Sequence, residues 1–340
     1  IDNTTDDGYL LKLYDLSDLS DDGIEVIQPT LSADSQYELT GDKLMMANAT
    51  VIYVVDIAQP GEVLYQKSIN DVDHAELCFT GSEYVLMTLS NGELSAERLT
   101  GGLIDLGIAN ENIVYVKCEG SDYAFLVDGQ RDKVFISNLE VTGSLSYTVN
   151  ASASEEDELA LDDWGTPTDL DNLTITDLVF DRSHMLVTVN VTSVDRIVLI
   201  DRITGEQLLL GNGKYSSYDP SIRDGVIAWV MKDFLDPSNP IEEYYDGEIM
   251  YMYLSDNFTH VLTADQIDQW GPIVLEDHLI YLEESNDGVV IKVHSWTPEL
   301  KSYSNIVLQV ASVVGIIIVF IYINQKQSEA KPALVNQEEE

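Results

Sequence analysis

The chain has 340 residues, of which 45% are hydrophobic, so it can bury an ordinary globular core in one large or two small domains. Its charge is unusual, because 60 Asp and Glu residues stand against 17 Lys and Arg residues and the formal net charge is −43. Such a field repels nucleic acid and anionic lipid surfaces, and no basic patch offsets it, so nucleic-acid binding is set aside. The acidic residues are spread along the whole chain, which favours a solvated surface of a marine or moderately halophilic archaeon over local cation binding.

Near the N-terminus, an acidic hexapeptide at residues 18–23 partly resembles a calcium loop. Asp18, Asp21 and Asp22 offer the hard oxygen ligands that Ca²⁺ prefers, and Gly23 allows a sharp turn. An EF-hand requires Glu at the twelfth position, where this chain has Pro29, so that motif fails. A plain turn is favoured over a weak calcium site, and calcium is the one cofactor that the sequence suggests.

A repeated pattern of short strands and turns covers most of the first 303 residues, with no competing helical periodicity before residue 305. The repeats begin near residues 37, 74, 108, 176, 219 and 271. Their spacing of roughly 35–50 residues, with one larger gap, is typical of four-stranded propeller blades. The sequence therefore predicts an all-β propeller of about six to seven blades over residues 1–304. An additional strand pair at residues 9–29 is expected to complete a blade with the C-terminal strands, which would remove exposed edges.

The clearest two copies of the repeat are residues 219–230 and 271–282, which align without a gap. Pro220 matches Pro272, and Trp229 matches Tyr281, so each copy predicts a strand, an acidic turn and a strand ending in an aromatic residue. This pattern resembles the repeats of TolB-type propellers. The resemblance implies a propeller fold and a binding or assembly module, and it implies no catalytic residues.

Two cysteines and two long insertions interrupt this pattern. Cys78 and Cys118 lie one repeat apart on strands predicted to belong to neighbouring blades. A disulfide in an oxidising compartment and two buried free thiols both remain open. The acidic residues 151–174 and the Pro-containing residues 232–246 are predicted loops, which would either bind a partner or stay solvated.

After the repeats, residues 306–323 carry no charge, and a helix of this length spans about 27 Å. The sequence predicts a transmembrane helix over residues 305–324. Lys326 and Lys331 follow it, which places residues 325–340 in the cytoplasm and residues 1–304 outside the cell membrane. This single-pass topology requires a signal peptide, so we expect that one was removed ahead of Ile1.

The predicted exterior part carries six sequons for N-glycosylation, mostly at strand ends or loops, which favour a glycosylated surface. They are at Asn3, Asn48, Asn150, Asn172, Asn190 and Asn257.

No catalytic signature appears in the sequence. The five histidines are scattered without metal-ligand spacing, and there is no nucleophile elbow, phosphate loop or CxxC pair. The sequence predicts a non-catalytic cell-surface recognition or scaffold subunit with protein partners, within a membrane or surface-layer complex. The alternative is an anchored extracellular hydrolase or lyase that uses calcium and carboxylates at the mouth of the propeller channel.

Overall fold

The computed structural model describes most of the chain up to residue 295. The described ranges are 35–59, 62–108, 112–141, 143–149, 173–191, 194–210, 216–232, 247–255, 258–263, 267–276, 278–285 and 288–295, with the backbone alone for 2–5, 8–13 and 24–26. The chain divides into two compact units, a large one of residues 1–274 and 280–292 and a small one of residues 275–279 and 293–340. Within the small unit, the Leu275 N–H donates to the His278 carbonyl over 2.8 Å and closes a turn.

Every described element is a β-strand or a short turn, and the strands form sheets of consecutive strands. A first sheet comprises β1 (Asp2–Thr5), β2 (Gly8–Leu13) and β3 (Ile24–Val26). Five four-stranded sheets follow: β4 (Gln36–Thr40), β5 (Lys43–Ala47), β6 (Val51–Asp56) and β7 (Val63–Ser68); β8 (Val72–Phe79), β9 (Tyr84–Ser90), β10 (Glu93–Arg98) and β11 (Leu103–Ile104); β12 (Ile113–Glu119), β13 (Asp122–Val127), β14 (Lys133–Asn138) and β15 (Ser144–Thr148); β16 (Thr174–Phe180), β17 (His184–Val191), β18 (Val194–Asp201) and β19 (Gln207–Leu210); β20 (Ser216–Arg223), β21 (Val226–Lys232), β22 (Gly247–Tyr253) and β23 (Phe258–Val261). The last described sheet comprises β24 (Gln269–Val274), β25 (His278–Ser285) and β26 (Gly288–Ser295).

The hydrophobic core follows the position of each strand in its sheet. The second strands β5, β9, β13, β17 and β21 are apolar and almost entirely buried, and they include Tyr123, Met185 and Trp229 at 0% exposure. Strands that are covered on both faces favour such continuous apolar runs. The fourth strands are largely exposed, as Leu145 on β15 and Phe258 on β23 show.

Consecutive sheets of the large unit meet through their first strands. β4 contacts β8, β8 contacts β12, β12 contacts β16, β16 contacts β20, and β20 contacts β24. We call these six first strands the inner strands. Four-stranded antiparallel sheets that follow one another in this way have the blade pattern of a β-propeller. The predicted all-β class and four-stranded blades are therefore confirmed.

The repeat seen in the sequence corresponds to equivalent backbone geometry. Asp219 and Gly271, which each precede the aligned proline, both have a left-handed backbone, with φ of 50° and 60°. Left-handed φ is unusual for a non-glycine residue, so the two copies share a specific bend and not only a hydrophobic pattern. The inner strands begin at residues 36, 72, 113, 174, 216 and 269, close to the predicted repeat starts.

Several predictions fall on residues that the structure does not describe. The predicted helix over residues 305–324 and the tail over 325–340 lie outside the described residues. Among the described residues, none belongs to a helix long and apolar enough to cross a membrane. The predicted strand pair at residues 9–29 corresponds to strands of the β1–β3 sheet, and its closure of a blade with the C-terminal strands stays a prediction, as does the exact blade number.

Candidate binding site between the inner strands

Four of the inner strands carry a β-bulge against their second strand. The extra residue is Asp73 on β8, Val114 on β12 and Thr176 on β16, and on β20 the shift falls between Tyr218 and Ser221. A bulge inserts one residue on one strand only, bends that strand and redirects the side chains beside it. The bulges on β8, β12 and β16 are directly followed by polar or aromatic residues that contact one another.

These post-bulge residues form the first layer of a polar network. The rings of His74 and Tyr115 lie 5.1 Å apart, and the Tyr115 hydroxyl donates to Asp177 Oδ1 over 3.2 Å. Burial, followed by the negative charge of Asp177, raises the pKa of Tyr115. The hydroxyl therefore stays protonated and serves as a donor that links β12 to β16.

Glu76 is the central charge of a second layer, two residues further along β8. It is 3% exposed, and its Oε1 lies 2.8 Å from His74 Nε2 and 3.0 Å from Lys117 Nζ. Burial alone would raise the pKa of Glu76, but the hydrogen bond from His74 and the charge of Lys117 outweigh it, so the pKa is lowered. Burial alone would likewise lower the pKa of Lys117, and the carboxylates of Glu76 and Glu38 raise it instead. Glu76 and Lys117 are thus a charged pair at neutral pH.

Gln36, on the neighbouring inner strand β4, orients His74. Its Oε1 accepts the Ala75 N–H over 3.0 Å, and its Nε2 lies 3.3 Å from His74 Nδ1. With the amide nitrogen as donor, Nδ1 accepts, which leaves the ring proton on Nε2 facing Glu76. The histidine therefore serves as a positioned donor to the buried carboxylate.

Glu38 is the second carboxylate near Lys117, and it behaves differently from Glu76. Its Oε2 accepts the Leu77 N–H over 2.6 Å, while its Oε1 lies 3.7 Å from Lys117 Nζ. Burial and the nearby charge of Glu76 raise the pKa of Glu38 from 4.5 to about 8. Glu38 is therefore mainly a neutral acid at pH 7, and the network holds one strongly paired carboxylate and one protonated one.

An open cavity of about 720 Å³ lies above this network, at the ends of the inner strands. Its walls come from five sheets: residues 38–41, residues 77–81, residues 117–122, Arg182 and Arg223. A neighbouring cavity of about 480 Å³ shares Glu119, Arg182 and Arg223 with it. Volumes of roughly 300–1,000 Å³ are typical of binding sites, so we call the larger one the inner-strand cavity and treat it as the candidate site.

A disulfide between Cys78 and Cys118 forms part of the cavity wall. The two Cα atoms lie 5.8 Å apart, and the bond joins β8 to β12 across two neighbouring sheets. Because these are inner strands that share no ladder of backbone hydrogen bonds, the bond fixes the wall where main-chain pairing does not.

Unlike the two cysteines, the predicted calcium ligands and the predicted binding insertions are not among the described residues that line this cavity. Asp18, Asp21 and Asp22 lie outside the described residues, and no group of three or more His, Cys, Asp or Glu side chains that could hold a metal occurs among the described residues. The insertions at residues 151–174 and 232–246 also fall almost entirely outside them. The network of His74, Glu76 and Lys117 was missed, although polar residues at alternate positions of a strand were a usable signal.

Two of the six sequons have described side chains, and they differ. Asn48 Oδ1 accepts the N–H groups of Thr50 and Val51 and the Thr50 hydroxyl at 2.9–3.0 Å, and its Nδ2 makes no hydrogen bond to a described residue. Asn190 instead donates its Nδ2 to Asp195 Oδ1 over 2.8 Å. The amide nitrogen that would carry a glycan is therefore available at Asn48 and engaged at Asn190. The side chains of Asn3, Asn150, Asn172 and Asn257 lie outside the described residues.

No protein-family model matches this chain, and no curated protein matches it either. Among solved structures it is similar to the β-propeller domain of the Trilobed protease from Pyrococcus furiosus, at 12% identity and a TM-score of 0.49, covering 81% of this chain and 83% of that one. It is also similar to the AfRom2 CNH domain, at 11% identity and a TM-score of 0.47, covering 86% and 89%. A TolB from Agrobacterium tumefaciens is similar at 12% identity and a TM-score of 0.43, covering 69% and 80%.

Proposed function

We propose that this chain is a membrane-anchored, extracytoplasmic recognition or scaffold subunit that binds a protein partner through the inner-strand cavity. The observation that carries the proposal is the relation between the cavity and the network beneath it. Glu76 is paired with His74 and with Lys117, and Lys117 lines the cavity. An open recess beside charged groups that are already paired with one another suits binding better than turnover.

The proposed location outside the cell rests on three features. Residues 306–323 form an uncharged stretch long enough to span a bilayer as a helix. The disulfide between Cys78 and Cys118 is of the kind that persists in oxidising compartments. Asn48 presents a sequon whose amide nitrogen is available for modification.

Native purification from membranes in a mild detergent tests the proposal. We expect the chain to co-purify with a stoichiometric protein partner, and glycosidase treatment to reduce its apparent mass. Recovery of the chain alone and unglycosylated from the soluble fraction would contradict both the anchor and the scaffold role.

A second candidate function is an anchored hydrolase or lyase, which one observation favours. Glu38 borders the cavity and, with a pKa of about 8, carries a proton at neutral pH, as a general acid requires. The test measures turnover of ester, glycoside and uronide substrates with and without Ca²⁺. Turnover that Glu38→Gln abolishes would replace the recognition role with the enzymatic one.

A further inference from the structure

Arginines are concentrated beside the inner-strand cavity. The chain has six arginines, and Arg182 and Arg223 line the cavity while Arg202 lies next to it, bonded to Asp122 of its wall. In a chain of net charge −43, the cavity lining is unusual because three basic residues, Lys117, Arg182 and Arg223, balance three acidic ones, Glu38, Glu119 and Asp122. Half of the chain's arginines therefore lie at or beside this one cavity.

The three arginines are not equally engaged. Arg202 is fixed, because it pairs with Asp122 at 2.6 Å, donates to the Asp181 carbonyl and lies over the Phe180 ring at 5.2 Å. Arg182 is exposed, and its side chain forms no ion pair or hydrogen bond with a described residue. Arg223 has one ion pair, at 3.7 Å to its neighbour Asp224, and both side chains are more than half exposed. Such surface pairs contribute little, so Arg182 and Arg223 keep most of their donor groups available.

The other described charged residues of the cavity neither form ion pairs with Arg182 nor offer a free positive charge of their own. Lys117 is paired with the buried Glu76 carboxylate at 2.9 Å, so its charge is already balanced within the protein. Glu119 lines both cavities together with Arg182 and Arg223. Burial raises the pKa of Glu119, against the effect of the two arginine charges. A guanidinium group binds a carboxylate through paired N–H groups, so each of the two arginines can bind a ligand's carboxylate.

The cavity lining also includes exposed apolar side chains. Leu39 is 56% exposed and Phe79 is 39% exposed, although both are large hydrophobic residues. The Phe79 ring lies 4.7 Å from the Tyr84 ring, which fixes its position. An exposed apolar pair at the rim of a polar cavity is a surface on which a partner side chain can pack.

We infer that the inner-strand cavity receives a segment of a partner protein that places a carboxylate against Arg182 and Arg223 and an apolar side chain against Leu39 and Phe79. This inference rests on the proposed recognition function and specifies the partner's chemistry. The net charge supports a segment with few acidic residues, because a chain of −43 repels a densely charged polyanion while it tolerates a single carboxylate held by two arginines.

Phage display tests this inference. A random heptapeptide library is selected against the full chain in mild detergent. We expect the enriched peptides to share an acidic residue close to a large apolar one. Arg182→Gln with Arg223→Gln should weaken binding of such a synthetic peptide about tenfold or more, since charge-assisted hydrogen bonds are lost. Leu39→Ser with Phe79→Ser should remove the apolar preference and keep the acidic one.

The matched control is Arg131→Gln with Lys133→Gln, which removes two positive charges beside the β13–β14 turn, away from this cavity. Because all four cavity residues are at the surface, each variant should keep the thermal unfolding midpoint of the parent. The inference is overturned if the peptides lack acidic residues, if the control weakens binding equally, or if free N-acetylglutamate competes as well as the peptides. If a natural partner co-purifies unchanged with the Arg182→Gln, Arg223→Gln chain, this inference fails while the proposed scaffold function stands.

Discussion

In each four-stranded sheet the second strand and the inner strand lie side by side, and in the first three of these sheets they differ in chemistry. The second strands are mainly apolar, with Trp229 and Met185 fully buried. The inner strands carry a charged pair, Glu76 and Lys117, and a protonated acid, Glu38. The comparison separates two adjacent strands of one sheet, since the second strands provide the core and the inner strands provide the cavity.

The largest loss of stability is expected from a substitution on a second strand. Trp229→Ala should lower the free energy of unfolding by about 4–5 kcal/mol, because it removes a fully buried indole and leaves a void. Urea denaturation measures this loss, and Trp229→Phe, which refills most of the void, should lose much less. Equal losses for both variants would show that the site does not depend on filled volume.

A smaller loss of stability, which a second substitution should partly reverse, is expected from a substitution on an inner strand. Lys117→Met should cost about 3–4 kcal/mol, because it leaves the buried Glu76 carboxylate with His74 alone. Adding Glu76→Gln should recover more than half of that loss in a double-mutant cycle. Losses that simply add would mean that the two charges do not interact.

The next largest loss of stability is expected from removing the disulfide between two inner strands. Cys78→Ser with Cys118→Ser should lower stability by about 2–3 kcal/mol, because opening a link between residues 40 positions apart frees the unfolded chain. Denaturation of the parent with a reductant should reproduce the midpoint of the variant. A parent that is insensitive to reductant would contradict a bonded pair.

The smallest effect, counted per pH unit, is a change in the slope of stability with pH. Glu38 has a pKa of about 8 in the folded chain against 4.5 ordinarily, so the folded state retains the proton more strongly. Its contribution to stability is complete below pH 4.5 and is lost as the pH rises towards about 8. In Glu38→Gln, which mimics the neutral acid, denaturation between pH 5 and 8 should show less of this decline. Glu93→Gln, on the exposed start of β10, is the control and should follow the parent.

The second strands were predictable from the sequence, whereas the inner-strand network was not. The apolar run around Trp229 is itself a signal of a buried strand, because burial on both faces requires consecutive apolar residues. Glu76 pairs with Lys117, which lies 41 residues later in the chain and on another sheet. No local sequence pattern predicts that these two side chains meet. The bulge at Val114 is equally hidden, and the third repeat, predicted to start at residue 108, has its inner strand start at Ile113.

The bulges on β8, β12, β16 and β20 make the number of residues in these strands as important as their identity. A substitution at Asp73 changes one group, but its deletion would leave Val72 opposite Ser90 and His74 opposite Leu89 in a regular ladder and would remove the bend of the bulge. Related chains are therefore expected to vary in composition around the cavity while they keep its strand lengths fixed. Loop lengths between the outer strands are free of this constraint.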